Sequence, residues 1–491
     1  MEIIASQLPL FACLASLLAV IPILLFRKTP NLREAATIGA GALKLAIVLT
    51  MLPGILGGKV YEFTFFEAVK GIPLAFRVDG IGMLFALVAS SLWILTSFYA
   101  IGYMRGAKEA GQTRFFCFFA ISLSATLGVA FAAILFTLYV FYEMLSLATY
   151  PLVTHHQDKE ARSGGRTYLT YLLSTSIGFA LPAMLFCYFK SGESLTFTET
   201  SNWAAALSGP TVLVLLLLFV FGFAKAGVMP FHSWLPNAMV APTPVSALLH
   251  AVAVVKVGVF SIIRVFTGVF GTDFLQTLDV SQVISWIAAI TVVTSSLIAM
   301  TQDNLKRLLA FSTIGQLSYI VLGVSLLTPH AVQGSMLHIP MHAFGKITLF
   351  FCAGAIYVAS GKKYISQLSG LGRAMPWTMG AFAIGAMSVI GLPLTGGLLS
   401  KIYMIWGAAD AQQLAFLAVY LVSSVLNGVY FFPIIYRAFF KAPADGVIHD
   451  KAQEAPLACV VPLVITASVS VILFFFPNVF FELTSLMIPA K

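Results

Sequence analysis

Lys44, Lys225, Lys256, Lys346 and Lys401 stand inside long apolar stretches, where holding a charged side chain costs about 2.5–3.5 kcal/mol. Glu143, in LFTLYVFYEMLSLATYPLV, is the one acid set comparably deep. Five cations facing one anion cannot all stay charged in a medium of low dielectric, so some must exchange their protons. Exchange is what a proton carrier requires. Ser246 and His250 lie four apart, and His338, His342 and Lys346 recur every four residues, a spacing that sets each group on one helix face. Three titratable groups on one buried face suit a proton relay. The rival reading, two histidines at i and i+4 as metal ligands, lacks an acidic partner in that half of the chain. Ser312, Gln316 and Tyr319 would supply neutral links beside them.

The elements that must position these groups are membrane helices. Of 491 residues, 59% are hydrophobic and 10% charged, against about 25% charged in a soluble domain. Fourteen apolar runs of about 20 residues fall near 4–26, 36–57, 81–100, 115–132, 133–152, 167–189, 211–235, 243–266, 283–300, 306–327, 332–358, 377–408, 413–436 and 457–480. The expected fold is therefore all-α and polytopic, with about fourteen transmembrane helices. Runs seven and twelve are interrupted, by Gly227 and Pro230 in one and by Gly391, Pro393, Gly396 and Gly397 in the other. Irregular backbone at membrane depth survives only where it lines protein or a water-filled cavity, which marks these two runs as the conduction path. Lys225 is expected near mid-membrane on a helix that continues to about Leu235.

The net charge of +9 invites a nucleic-acid reading that the placement of the charges answers. With fourteen spans, 17 Lys and Arg fall in the loops of one face and 6, Arg264 among them, in those of the other. The richer face is expected to be cytoplasmic, with both termini outside a cell membrane. Residues 1–26 lack the basic start and cleavage site of a signal peptide and read as a retained first helix. Lys44, a third of the way into the second span, is expected to reach the basic face. Residues 58–79 alternate apolar and polar and should form an extended or hairpin cover on the opposite face, with Asp79 capping the third helix. His155, His156, Asp158, Lys159 and Glu160 read as a solvated loop, and His232 as a surface residue. The five cysteines are scattered singly, and neither a G-x-x-x-x-G-K-[ST] nor a G-x-G-x-x-G run occurs. No cofactor or catalytic centre is expected. The chain must use an ion gradient or be driven by neighbouring subunits.

PFHSWLPNAMVAPTPVSALLHAVAVVKVGVFSIIRV at 230–265 resembles the signature of the antiporter-like subunits shared by respiratory complex I (its L-, M- and N-type subunits), Mrp-type sodium/proton antiporters and membrane-bound hydrogenases. RVDGIGMLF at 77–85, YEMLSLATYPLV at 142–153, NLKRLLAFSTIGQLSYI at 304–320 and HAFGKITLFFCAG at 342–354 extend the likeness in order along most of the chain. It implies two inverted repeats, spans 4–8 within 111–270 and spans 9–13 within 271–441, preceded by helices 1–3 in 1–110 and followed by a last helix in 442–491. It also implies Glu143 and Lys225 as the paired charge of one half-channel, Lys256 as the central relay with His250 nearby, and His338, His342 and Lys346 leading to Lys401. M-type members carry Glu where Lys401 stands, so the chain looks closer to the D-type Mrp antiporter members and the hydrogenase-associated ones. It also lacks the C-terminal extension of the L-type and A-type Mrp relatives. The implied partners are membrane subunits of one complex: small hydrophobic antiporter subunits, a second antiporter-like subunit, or a hydrogenase or dehydrogenase module. The cargo is H+, with Na+ left open. Two alternatives stand beside this reading, the pump subunit of a redox-driven complex and an inert scaffold.

Overall fold

The computed structural model describes residues 2–69, 72–192, 195–197, 203–443 and 453–488. Lys70, Lys451 and Lys491, counted in the charge asymmetry, lie outside these. Twelve described helices are long and apolar enough to cross a membrane, and two shorter apolar ones, Gly209–Gly222 and Pro376–Ile390, stand in the seventh and twelfth positions. Each of the fourteen expected spans thus has its helix. Every residue of the most apolar 18-residue stretch is buried in Thr243–Phe270 and in Leu305–Ser325, whereas 28% and 33% are in Pro30–Leu56 and Leu8–Leu25. Spans eight, ten and eleven are among the most buried, and the eighth and eleventh carry His250, Lys256, His338, His342 and Lys346.

A three-stranded sheet adds to the helices. Strand β1 (Glu2–Ala5) runs parallel to β2 (Lys59–Val69), which pairs antiparallel with β3 (Ile72–Val78). The hairpin agrees with the cover expected at 58–79, and Glu62 and Arg77, opposite each other in it, form an ion pair. β1 was hidden inside the stretch read as the first helix, which begins at Leu8. A short helix, Asn478–Ser485, follows the last span and packs on the third.

Two charge placements differ from expectation. Lys44 is fully buried, its Nζ 2.9 Å from the Leu123 carbonyl and 4.7 Å from the centre of the Trp93 ring. Its helix starts at Pro30, so fourteen residues put Lys44 about 21 Å along the axis, beyond the reach of a lysine stem to the basic face. Arg264, assigned to a loop, ends the buried stretch Val254–Arg264 and is 1% exposed. It pairs with Asp79 through two bonds, Nη1 to Oδ2 at 2.6 Å and Nη2 to Oδ1 at 2.7 Å. Asp79 also caps its helix as expected, accepting from the Gly82 N–H at 2.9 Å. The acid thus does two jobs, and Glu143 is not alone among buried carboxylates.

Candidate functional site

Lys225 sits in the first break. The helix Gly209–Gly222 stops three residues short of it, a single 3₁₀ turn spans Ala224–Ala226, and Gly227 turns the chain at φ +70°. The expected continuation to Leu235 therefore does not occur. Gly258 of the eighth span lies so close that any Cβ there would come within 3.0 Å of the Lys225–Ala226 backbone. Lys225 Nζ donates to the Tyr142 carbonyl and to Ser146 Oγ, both at 2.7 Å, and lies over the Tyr142 ring.

The expected pairing of Lys225 with Glu143 is not closed. Both Glu143 oxygens are buried without a hydrogen-bond partner, and the side chain lines a lateral groove with Tyr139, Leu147 and Met184. Helix geometry explains this. Tyr142 and Ser146, four apart, present the face toward Lys225, while Glu143 is turned about 100° from it, with Val140 and Leu147 on the exposed side. Lys225 is held by a carbonyl and a hydroxyl instead.

The eighth span has a break that its sequence did not reveal. A π-helical turn at Leu248–Val252 precedes Ala253, whose φ of −103° and ψ of −80° interrupt the helix before Val254. His250 lies in the turn, fully buried beside Phe350, with neither ring nitrogen partnered by protein. Beyond the break, Lys256 Nζ lies 2.5 Å from His342 Nδ1. Two full charges even 4 Å apart would repel by about 4 kcal/mol at an effective dielectric of 20. The two nitrogens therefore cannot both be charged, and they lie within hydrogen-bond reach of each other.

From His342 the file continues along the eleventh span, Pro329–Ser360, which contains Pro340 as expected. The His338 ring lies 5.6 Å from that of His342, its Nδ1 is 2.8 Å from Ser400 Oγ, and its Nε2 is 3.2 Å from Gln316 Oε1. Lys346, one turn the other way, donates to Ser312 Oγ at 2.6 Å, and Ser312 meets the Tyr430 hydroxyl at 2.7 Å. Lys401 follows the second break. Its Nζ donates to the carbonyls of Val389 and Ile390 at 2.8 and 2.9 Å, the last two residues of Pro376–Ile390, and to Ser424 Oγ at 3.2 Å. A cation at a helix C-terminus meets both unsatisfied carbonyls and the negative end of the dipole. Gly391, at φ +88°, allows the turn there. The Tyr319 ring lies 4.8 Å from this ammonium and stacks on His338.

Lys256 and His342 are in direct contact, the His338 ring stacks 5.6 Å from that of His342, among the described residues Lys401 is reached from His338 only through the Tyr319 ring, and Lys346 stands on a branch. Lys225 packs on Gly258, on the Lys256 side of the Ala253 break, whereas His250 lies on the other side and Glu143 lines the lateral groove. Ser312, Gln316 and Tyr319 are the neutral links expected. Tyr142, Ser146, Ser400, Ser424 and Tyr430 were missed. Their one signal was a hydroxyl in an apolar run, and many such hydroxyls only bond the carbonyl one turn back. His155, expected in solvent, is 4% exposed, and Arg114 Nη2 donates to its carbonyl at 2.6 Å. His232 is half-buried beside Phe311. No cluster of three or more potential metal ligands occurs among the described residues.

Residues 132–427 match the family described as NADH:quinone oxidoreductase/Mrp antiporter, TM. The chain belongs to that family. Residues 68–116 match the N-terminus of complex I chain 5. The NADH-quinone oxidoreductase subunit N of Desulforudis audaxviator is 32% identical over 432 residues, 81% of this chain and 83% of that protein. A putative antiporter subunit mnhA2 of Staphylococcus haemolyticus is 28% identical across 90% of this chain. The chain spans only 57% of that protein, and 43% of a probable K(+)/H(+) antiporter A/B subunit of Rhizobium meliloti. Among solved structures, a chain of the Mrp complex from Dietzia sp. superposes with a TM-score of 0.87 at 22% identity, covering 98% of this chain and 96% of that one. A chain of an archaeal membrane-bound sulfane sulfur reductase gives 0.84 at 24%, covering 98% and 97%. Both share the antiporter-like fold from end to end.

Proposed function

We propose that this family member is a proton-translocating, cation/proton antiporter-type subunit of a multisubunit complex in the cell membrane, with no redox, nucleotide or catalytic site of its own. Its two inverted repeats, 111–270 and 271–441, each contribute a broken helix and a buried lysine. The observation that carries the reading is the file from Lys256 through His342 and His338 toward Lys401, in which no lysine is in an ion pair among the described residues. A scaffold would gain by neutralising or removing such cations, because an uncompensated buried charge is strongly destabilising.

In this mechanism Lys225 takes a proton while held by Tyr142 and Ser146 and passes it toward Lys256, whose helix packs on the Lys225 turn at Gly258, with His250 across the Ala253 break. Glu143 acts as the counter-charge whose approach or departure sets the direction. The Lys256 and His342 nitrogens exchange the proton, and His338 hands it on toward Lys401. Partners are other membrane subunits, small hydrophobic ones together with a second antiporter-like subunit. A redox-driven setting is the second reading, favoured by the likeness to a quinone oxidoreductase subunit N. The test is Lys256→Met in the assembled complex, reconstituted into vesicles. Proton transport should vanish while the subunits still co-purify; undiminished transport would remove the relay, and loss of assembly would favour a scaffold.

A further inference from the structure

Outside the relay, a polar vestibule of about 570 Å³ opens on the basic face. Its walls come from the end of the third span, the loop before Lys159, the first break, the start of the tenth span and the end of the eleventh. Glu109 and His156 meet in it, Nε2 lying 3.2 Å from Oε1, and their side chains are only 14% and 35% exposed. Lys306 closes one side, donating to the Ala241 carbonyl at 2.6 Å. Tyr103 and Thr243 also line it.

Thr243 begins the eighth span, and three and seven residues on, along the same helix face, come Ser246 and His250. Seven residues are about 10 Å of helix. Ser246 Oγ, both His250 nitrogens and His342 Nε2 are buried without a protein hydrogen-bond partner. Buried polar atoms are rarely left unsatisfied, and a row of them calls for bound water. The first of these atoms lies one helical turn from the vestibule wall at Thr243, and the last belongs to the imidazole that meets Lys256.

We propose that Glu109 and His156 form a proton-collecting pair at the mouth of a hydrated path running from this vestibule past Thr243, Ser246 and His250 to Lys256. The proposal rests on the relay reading above and adds its source of protons. The charged surroundings suit the task. The hydrogen bond that His156 donates to Glu109 holds its ring above the usual imidazole range against the opposing effect of burial, and the Glu109 and Asp158 charges add to it. Burial alone would raise the Glu109 carboxyl, but the hydrogen bond and charge of His156, with His155 and Lys306, bring it below the usual range. His155 is pushed down by burial and by Arg114 and contributes little charge near neutrality. Glu160, Arg307, Lys362 and Lys363 complete the lining. His156 therefore holds its proton more firmly than a free imidazole and gives it up as pH rises.

The test uses the assembled complex in vesicles and the initial rate of proton uptake from the vestibule side between pH 6 and pH 9. Glu109→Gln should move the alkaline limb of the rate profile down by about one pH unit, the usual scale of such environmental shifts. His156→Asn should slow uptake at alkaline pH, and imidazole in the outer buffer should restore it, because a mobile base can replace the missing shuttle. Unchanged profiles in both variants would overturn the proposal, as would a slow His156→Asn that imidazole leaves slow. If His156→Asn fails to assemble, the limb of Glu109→Gln decides alone. Lys256→Met separates the two readings. It should be inactive at every pH with or without imidazole, and activity there would remove the relay and leave the vestibule to be judged by its own variants.

Discussion

The Asp79 and Arg264 pair offers the sharpest test of how the relay is held in place. Two charge-assisted hydrogen bonds of 2.6 and 2.7 Å tie the start of Gly80–Gly106 to the end of Val254–Arg264, eight residues from Lys256. The guanidinium also lies 5.1 Å from the Phe260 ring and 5.3 Å from that of Phe197. Asp79→Ala leaves that guanidinium buried without its anion, at a cost of about 3–5 kcal/mol, and deletes a helix cap worth about 1 kcal/mol. Asp79→Asn keeps an oxygen for the Gly82 N–H or for the guanidinium, so its loss should be intermediate. Asp79→Leu with Arg264→Met removes both charges together and should fall within about 2 kcal/mol of the parent, since apolar replacement of a buried pair is often neutral or favourable. Thermal midpoints in detergent at one fixed scan rate should therefore rank the alanine variant lowest, then asparagine, then the double variant. A double variant as unstable as Asp79→Ala would refute the account, showing that the unpaired charge is not what destabilises. Transport per assembled complex should follow the same order, because the pair fixes the helix that sets Lys256 against His342.

Gly258→Ala should disturb Lys225 without touching its charge, because the added methyl would fall within 3.0 Å of the Lys225–Ala226 backbone; overpacking of this kind costs about 1–3 kcal/mol, and reduced transport with lowered complex yield is the expected readout. Lys44→Met should leave transport per assembled complex unchanged, since Leu123 and Trp93 hold this ammonium away from the relay; loss of proton uptake in vesicles would place Lys44 within the path. Ser424→Ala should cost Lys401 one of three hydrogen bonds, worth about 0.5–1.5 kcal/mol, and slow transport modestly, whereas Lys401→Met should abolish it in the same assay.

The spans were legible because a bilayer imposes a length and a composition that few other settings demand. Even the two short helices were marked, through Gly227 and Gly391, whose positive φ values are the turns themselves. The break at Ala253 left no such mark, since alanine, valine and histidine carry no signature of a π turn. The lysines stood out for a different reason: a charge in an apolar run is conspicuous one residue at a time. Their partners were not, because a hydroxyl such as Ser146 or Ser400 becomes a ligand only when another helix brings a titratable group to it. Glu143 shows the limit of reasoning by charge alone. Opposite charges suggested a pair, and one residue of helix rotation gave the place beside Lys225 to Tyr142 and Ser146. The Asp79 and Arg264 pair lay beyond sequence reasoning because the two residues stand 185 positions apart.

The chemistry of the partners sorts the buried cations by what each can do with a proton. A carbonyl only accepts a hydrogen bond, whereas a hydroxyl or a neutral imidazole can both accept and donate. Lys401, on two carbonyls at a helix end with the Ser424 hydroxyl as its longest contact, sits where a proton can be kept. Lys256, against an imidazole nitrogen, sits where the proton can change hands without any heavy atom moving far. Lys346 lies between these cases, facing a serine whose hydroxyl continues to Tyr430. In the proposed relay, storage would fall at the second broken helix and exchange at the centre. Small shifts of the Gly391 turn would then alter the release of a proton without disturbing the site where it is passed on.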